Sequence, residues 1–406
     1  MNAASASRGA GGFSLIELMI AMVLGLLVVE GIYILFAAAG RVNTTQTALS
    51  RLQENGRIAI ELIANDLRAA GRLACGSSSG PLVYADSLAS HIIGAPAQAA
   101  APAGQPDGTP YALDRSIFLG GSTCVAKSCT PAVGGVPQAG LGAGDKVPGT
   151  DVLMVRYLQG DGLTASGASQ VCNADGKLAA IDVGRVAGDT VLGGLQSAHL
   201  ALLAGCTQAQ IFPVAVQGSA VQPVAAEFGT PSCVAADAQT RLFDLDAQLQ
   251  TSIYYLQLAN DEKTPGRKVA ALMRRTNGIA SEVVQGVERL DLRYSLTDAA
   301  GNAHWLNADE LGRHASADGA ALQCKQADSV APCSWRDVDA VEISLLANTV
   351  DDLPDESAAD AWDYRYSVDG EAMQRPVAAM PVTGLPAGRM LRREFRTVVA
   401  LRGMAS

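Results

Sequence analysis

From Phe13 to Ala39 the chain is almost unbroken apolar sequence. Leu18 to Val29 is twelve uncharged residues and Gly31 to Ala39 nine more, with only Glu17 and Glu30 interrupting. As α-helix, Phe13 to Ala39 covers about 40 Å, enough to cross a bilayer core of about 30 Å. From Arg41 the pattern turns amphipathic. Thr45, Leu49, Leu52, Gly56, Ala59, Ile63 and Ala70 fall on three- and four-residue steps, one small or apolar face of a helix. Arg51, Glu54, Arg57, Glu61, Asp66 and Arg68 supply the polar surface. No proline precedes Pro81, and Gly71 and the Gly-Ser-rich run at 76–80 are stop signals. One helix is therefore expected from Phe13 to about Leu73, roughly 90 Å long. Gly25, Gly31, Gly40 and Gly56 along it suit close helix–helix approach.

Beyond Cys75 the period shortens to two. Strands are expected at 151–158, 210–216, 252–258, 269–274, 287–296, 338–346 and 395–401, of which VERLDLRYSL at 287–296 alternates most clearly. A meander of this kind behind one long helix predicts an α+β fold, an antiparallel β-sheet head with inserted loops. The proline-and-alanine-rich stretch 94–110 and the Gly/Pro-rich stretch 130–149 read as surface loops. The expected organisation is 1–12, a short polar leader; 13–39, the membrane-spanning half of the helix; 40–74, its amphipathic half; 75–250, a first part of the head; and 251–406, a second, β-rich part.

Charge and cysteine usage narrow the function. The net charge of −10 and an aromatic content of 5% argue against nucleic-acid binding. The eight cysteines include no C-x-x-C, and the four histidines (His91, His199, His304, His314) are scattered. Such spacing favours disulfides in an exported domain over a metal site. The closest pairs in sequence, Cys124–Cys129 and Cys324–Cys333, are the candidate disulfides, because closing a short loop costs little. No cofactor motif is present, and the G-x-S-x-G match around Ser78 lacks the strand-to-helix setting of a hydrolase nucleophile. The acidic run Asp351, Asp352, Asp355, Glu356, Asp360 and Asp363 matches no EF-hand and reads as a solvated loop.

Three readings of the N-terminus compete. A secretory signal would use Arg8, the apolar run and Ala37-Ala38-Ala39 as its cleavage site, yet Glu17 and Glu30 fit it poorly. A plain anchor offers no reason for a carboxylate at its start, since one inside a span costs a few kcal/mol unless paired. The third reading accounts for Glu17. Residues 12–22, GFSLIELMIAM, resemble the N-terminal motif of type IV prepilins and pseudopilins. That resemblance implies cleavage between Gly12 and Phe13 by a prepilin peptidase, N-methylation of Phe13, and a register role for Glu17. In a filament, Glu17 of one subunit would meet the free amine of Phe13 on a neighbour, a pairing that low dielectric demands. Glu30 receives no role from the resemblance.

Further blocks, NDLRAAGRLACG, TDVLMVRYL, SIYYLQ, VVQGVERLDLRYSL, VDAVEISLL and RREFRTVVALRG, occur in the order seen in the PilW family of minor pilins. A terminal Arg-Asn of that family is Arg402-Gly403 here. The resemblance implies a non-enzymatic subunit that primes and assembles type IV pili from the filament tip. Its implied partners are other minor and major pilins, the prepilin peptidase, a tip adhesin, and the inner membrane before assembly, with the head in the periplasm. The alternatives are a J-type minor pseudopilin of a type II secretion system and an exported disulfide-bonded enzyme or binding domain.

Overall fold

The computed structural model of the chain describes residues 14–70, 88–90, 98–99, 111–112, 118–165, 169–183, 195–205, 209–224, 231–233, 240–261, 263, 265–325, 330–353, 365–368, 371–374 and 390–401. A single helix, α1 (Leu15–Ala69), runs for 55 residues. Residues 14–36 are exposed throughout. It is the one helix among the described residues long and apolar enough to cross a membrane. Burial begins at Leu52 and continues through Gly56, Ala59, Ile63 and Leu67, the stripe that the periodicity predicts.

That stripe lies across two antiparallel sheets. The first has six strands in the order β6 (Ile279–Gln285), β5 (Lys268–Thr276), β4 (Leu249–Asn260), β3 (Val152–Leu158), β1 (Leu119–Val125) and β2 (Ser128–Thr130). It joins strands from either side of residue 250. The second has four, in the order β8 (Ala303–Leu306), β7 (Val287–Thr297), β9 (Val338–Asn348) and β10 (Arg392–Ala400). One core unites them with the helix: Ile63 and Leu67 share it with Val155 and Leu256 of the first sheet and Leu292 and Ile343 of the second.

Gly56 fixes how closely the helix can approach. Any Cβ there would run into the ring of Phe395 on β10. Register pairs Phe395 with the buried Leu345 of β9, so its ring stands on the core face. Gly56 thus serves contact with the head, not with another helix. Gly25, Gly31 and Gly40 have open space around them.

A further, eight-stranded sheet occupies much of the chain between β3 and β4. Its path runs 163–164, 241–244, 200–204, 209–217, 220–223, 178–182 and 170–172, with Leu88–Ser90 added parallel to the 209–217 strand. It has its own core around Leu203, Phe212, Val214 and Leu242. Sequence periodicity signals only the central strand of this sheet. The other strands are short, and Leu200–Ala204, for example, is apolar without alternation.

The Gly/Pro-rich stretch 130–149 needs correction. It is irregular, as expected, but its end dives inward: Lys146 and Val147 are buried. The Lys146 ammonium donates to the carbonyls of Val147, at 3.2 Å, and Thr150. Burial pushes its pKa down to about 8, with Asp151 pulling it back up.

Candidate functional site

The candidate site is the helix and its seat on the head. Gly12 and Phe13 lie outside the described residues. Glu17 is in the first helical turn, where a carboxylate is favoured by the helix dipole. It is exposed and surrounded by exposed apolar neighbours such as Leu18, Met19 and Ile20. Glu30 stands on the same exposed apolar stretch. Among the described residues none of the head covers this surface, which suits it to lipid or to other chains.

The other end of α1 is tied down by charge. Asp66, expected on the polar surface, is buried among apolar neighbours. Its carboxylate accepts from the Arg274 guanidinium on β5 at 2.8 and 3.0 Å and from the Tyr254 hydroxyl on β4 at 2.6 Å. Arg274 also donates to the Tyr157 hydroxyl on β3 at 3.1 Å. Burial raises the pKa of both tyrosines, and the Asp66 charge raises them further, so both stay neutral donors. Three adjacent strands thereby grip one carboxylate near the helix C-terminus. Farther up α1, a groove of about 490 Å³ separates residues 43–55 from Asp261, Lys263 and the segment 348–353. Asn55 bridges there to the Gln285 carbonyl at 3.4 Å.

The two sheets are joined by a second buried carboxylate. Asp151 accepts from the backbone N–H of Cys124 on β1 at 3.0 Å and of Leu292 on β7 at 2.9 Å. Its own N–H donates to the Leu290 carbonyl. Burial pushes its pKa up to about 7 and Asp291 adds to the rise, against the two backbone bonds and Arg289.

Six of the eight cysteines lie among the described residues and all six are bonded. The pairs are Cys124–Cys129, Cys324–Cys333 and Cys172–Cys233. The first closes the β1–β2 hairpin, across which its two cysteines face each other. The third joins residues 61 apart, and nothing in local spacing announces it. Cys75, Cys206, Ser78, most of the 94–110 stretch and the acidic residues from Asp355 to Asp363 fall outside the described residues. Trp335 packs edge-on against Tyr294, ring centroids 4.8 Å apart, as a core residue.

With this geometry in hand, comparisons with known proteins place the chain. Residues 253–403 match the profile of the family described as Type IV Pilus-assembly protein W. Residues 7–29 match that of the prokaryotic N-terminal methylation motif. No curated protein matches significantly. Among solved structures, a type IV-like pilin from Thermus thermophilus is similar at 12% identity, covering 52% of this chain and 87% of its own, with a TM-score of 0.18. The two profile matches sit at opposite ends of the chain and together support a type IV prepilin-like protein of the PilW type. Its role is accordingly type IV pilin-like, that of a structural pilus component.

Proposed function

We propose that this PilW-type chain is a minor pilin that helps prime and assemble type IV pili from the filament tip. The observation that carries the reading is the joint presence of the methylation motif at 7–29 and the PilW match at 253–403. An exposed apolar helix seated on a β-rich head supports it. The subunit waits in the inner membrane with its head in the periplasm. The prepilin peptidase cuts between Gly12 and Phe13, and the new amine is methylated. Glu17 then sets axial register against the amine of a neighbouring pilin, and the head meets other minor pilins and a tip adhesin.

Mass spectrometry of the N-terminal peptide, in sheared filaments and in the cell envelope, tests this. The expected result is a peptide beginning at N-methylated Phe13 in the filaments. The same peptide confined to the envelope would favour the pseudopilin reading, and a start near Gly40 would sink both. Glu17→Ala should still be cleaved. A buried charge pair in a bilayer is worth a few kcal/mol, and each tenfold is about 1.4 kcal/mol. Filaments carrying the variant should therefore fall by about tenfold or more. Counting them by electron microscopy decides, and normal numbers would remove the register role.

A further inference from the structure

The eight-stranded sheet holds a cluster that pilus assembly does not use. His199 precedes the strand Leu200–Ala204, and Asp244 ends the neighbouring strand Arg241–Asp244. Antiparallel register sets Ala201 opposite Asp244. The chain then turns through Leu245–Gln248 and enters β4 of the six-stranded sheet. Asp246, in that turn, folds back so that its carboxylate accepts from the Leu200 N–H at 2.7 Å. Three segments thus bring one imidazole and two carboxylates together, their donor atoms all within 4.8 Å of one another.

We propose that His199, Asp244 and Asp246 form a binding site for a borderline divalent cation of the zinc class, a clip at the junction of the two sheets. The donor set fits that class. Zinc takes imidazole nitrogen and carboxylate oxygen, and three protein ligands leave a fourth position for water. Calcium and magnesium prefer all-oxygen shells of six or more ligands, which this site does not supply. The geometry needs little adjustment. Tetrahedral zinc with bonds of about 2.0–2.1 Å holds its ligand atoms about 3.3 Å apart. His199 Nδ1 and Asp244 Oδ2 are 2.8 Å apart, so the metal takes the place of the proton they now share and the pair opens by about half an ångström. Asp244 is already rigid: its side chain is 2% exposed and its Oδ1 accepts from the N–H groups of Asp246 and Ala247. His199 is 25% exposed, which gives the ion a way in. A bound ion would lock the start of the Leu200–Ala204 strand to the chain's exit from this sheet into β4. This goes beyond the pilin reading and does not depend on it.

Full-length protein in detergent, stripped with chelator and titrated calorimetrically with zinc sulfate, tests the site. The expected result is one zinc per chain and a rise in Tm with zinc. His199→Gln and Asp246→Asn should each weaken binding by on the order of 100-fold. Asn at 246 keeps the acceptor for Leu200, and Gln at 199 keeps a hydrogen-bonding side chain, so both variants should fold, as circular dichroism will check. Cobalt(II) should give a visible ligand-field band that His199→Gln lacks. No zinc uptake, equal uptake by the variants, or an equal response to calcium would each overturn the proposal.

Discussion

Arg274→Ala should lower the stability of the head by about 3 kcal/mol, the toll of leaving a buried charge without its partner, reduced for the part of the pair that solvent reaches. The geometry makes the two ends of this pair unequal. The Asp66 side chain is 8% exposed and the Arg274 side chain 23%. Deleting Arg274 strands a carboxylate that keeps only neutral tyrosine hydroxyls, Tyr254 at 2.6 Å and Tyr157, in place of a charge. Deleting Asp66 leaves a guanidinium that can still donate to Tyr157 and turn toward water. Asp66→Ala should therefore cost less than Arg274→Ala, about 2 kcal/mol. The double variant should be less destabilised than the sum of the two, because each single change has already broken the pair. Thermal unfolding of full-length protein in detergent reads all three, with Tm drops on the order of 5–10 °C for the single variants. Additive losses would mean that the helix is held by its apolar stripe alone.

Asp151→Ala should be the more damaging substitution, costing about 4 kcal/mol. Each buried N–H left without an acceptor costs about 1–3 kcal/mol, and Asp151 satisfies two, on Cys124 and Leu292. Asp151→Asn keeps one acceptor oxygen but turns an amine toward the other N–H, so its cost should fall between wild type and alanine. The same residue sets a pH dependence. Its folded pKa, about 7, stands above an ordinary value of 3.8. Between those values the native state holds a proton that the unfolded chain has released. Its contribution is therefore complete below pH 3.8 and is lost as pH rises through about 7. Stability should fall along that interval at up to about 1.4 kcal/mol per pH unit. Asp151→Asn should flatten that slope. Denaturant titrations at several pH values would measure it, and an unchanged slope in the variant would show that another group carries it.

Sequence periodicity reaches as far as one-dimensional information can. The apolar run, the stripe through Leu52, Gly56, Ala59 and Ile63, and the long alternating strands are local patterns, and each found its element. What escaped depends on partners far along the chain. Asp66 looks like ordinary helix surface until Arg274, 208 residues away, is brought beside it. The strand β1, LGGSTCV, carries no apolar alternation, because glycines fill two of its positions and backbone lies against one of them. A Cβ at Gly121 would meet the Val152 carbonyl at 2.8 Å and the Tyr294 hydroxyl, and one at Gly120 would meet the Met154 methyl at 2.8 Å. Glycine weakens a strand in general, and here the fold uses the pair for close approach. The histidines looked scattered for the same reason: His199 and Asp244 are 45 residues apart and meet only across paired strands.

The Cys172–Cys233 bond has a mechanical consequence. A subunit stretched between its helix and its last strand can release chain only where no covalent crosslink short-circuits the load. The bond shunts force past the 61-residue span it closes. At about 3.5 Å per extended residue, that withholds roughly 210 Å of slack. The hairpin strands between the two cysteines can come apart without lengthening the molecule. Under tension the subunit should therefore yield in short increments drawn from outside the loop, and under reducing conditions the same pull should extend it by about that additional length.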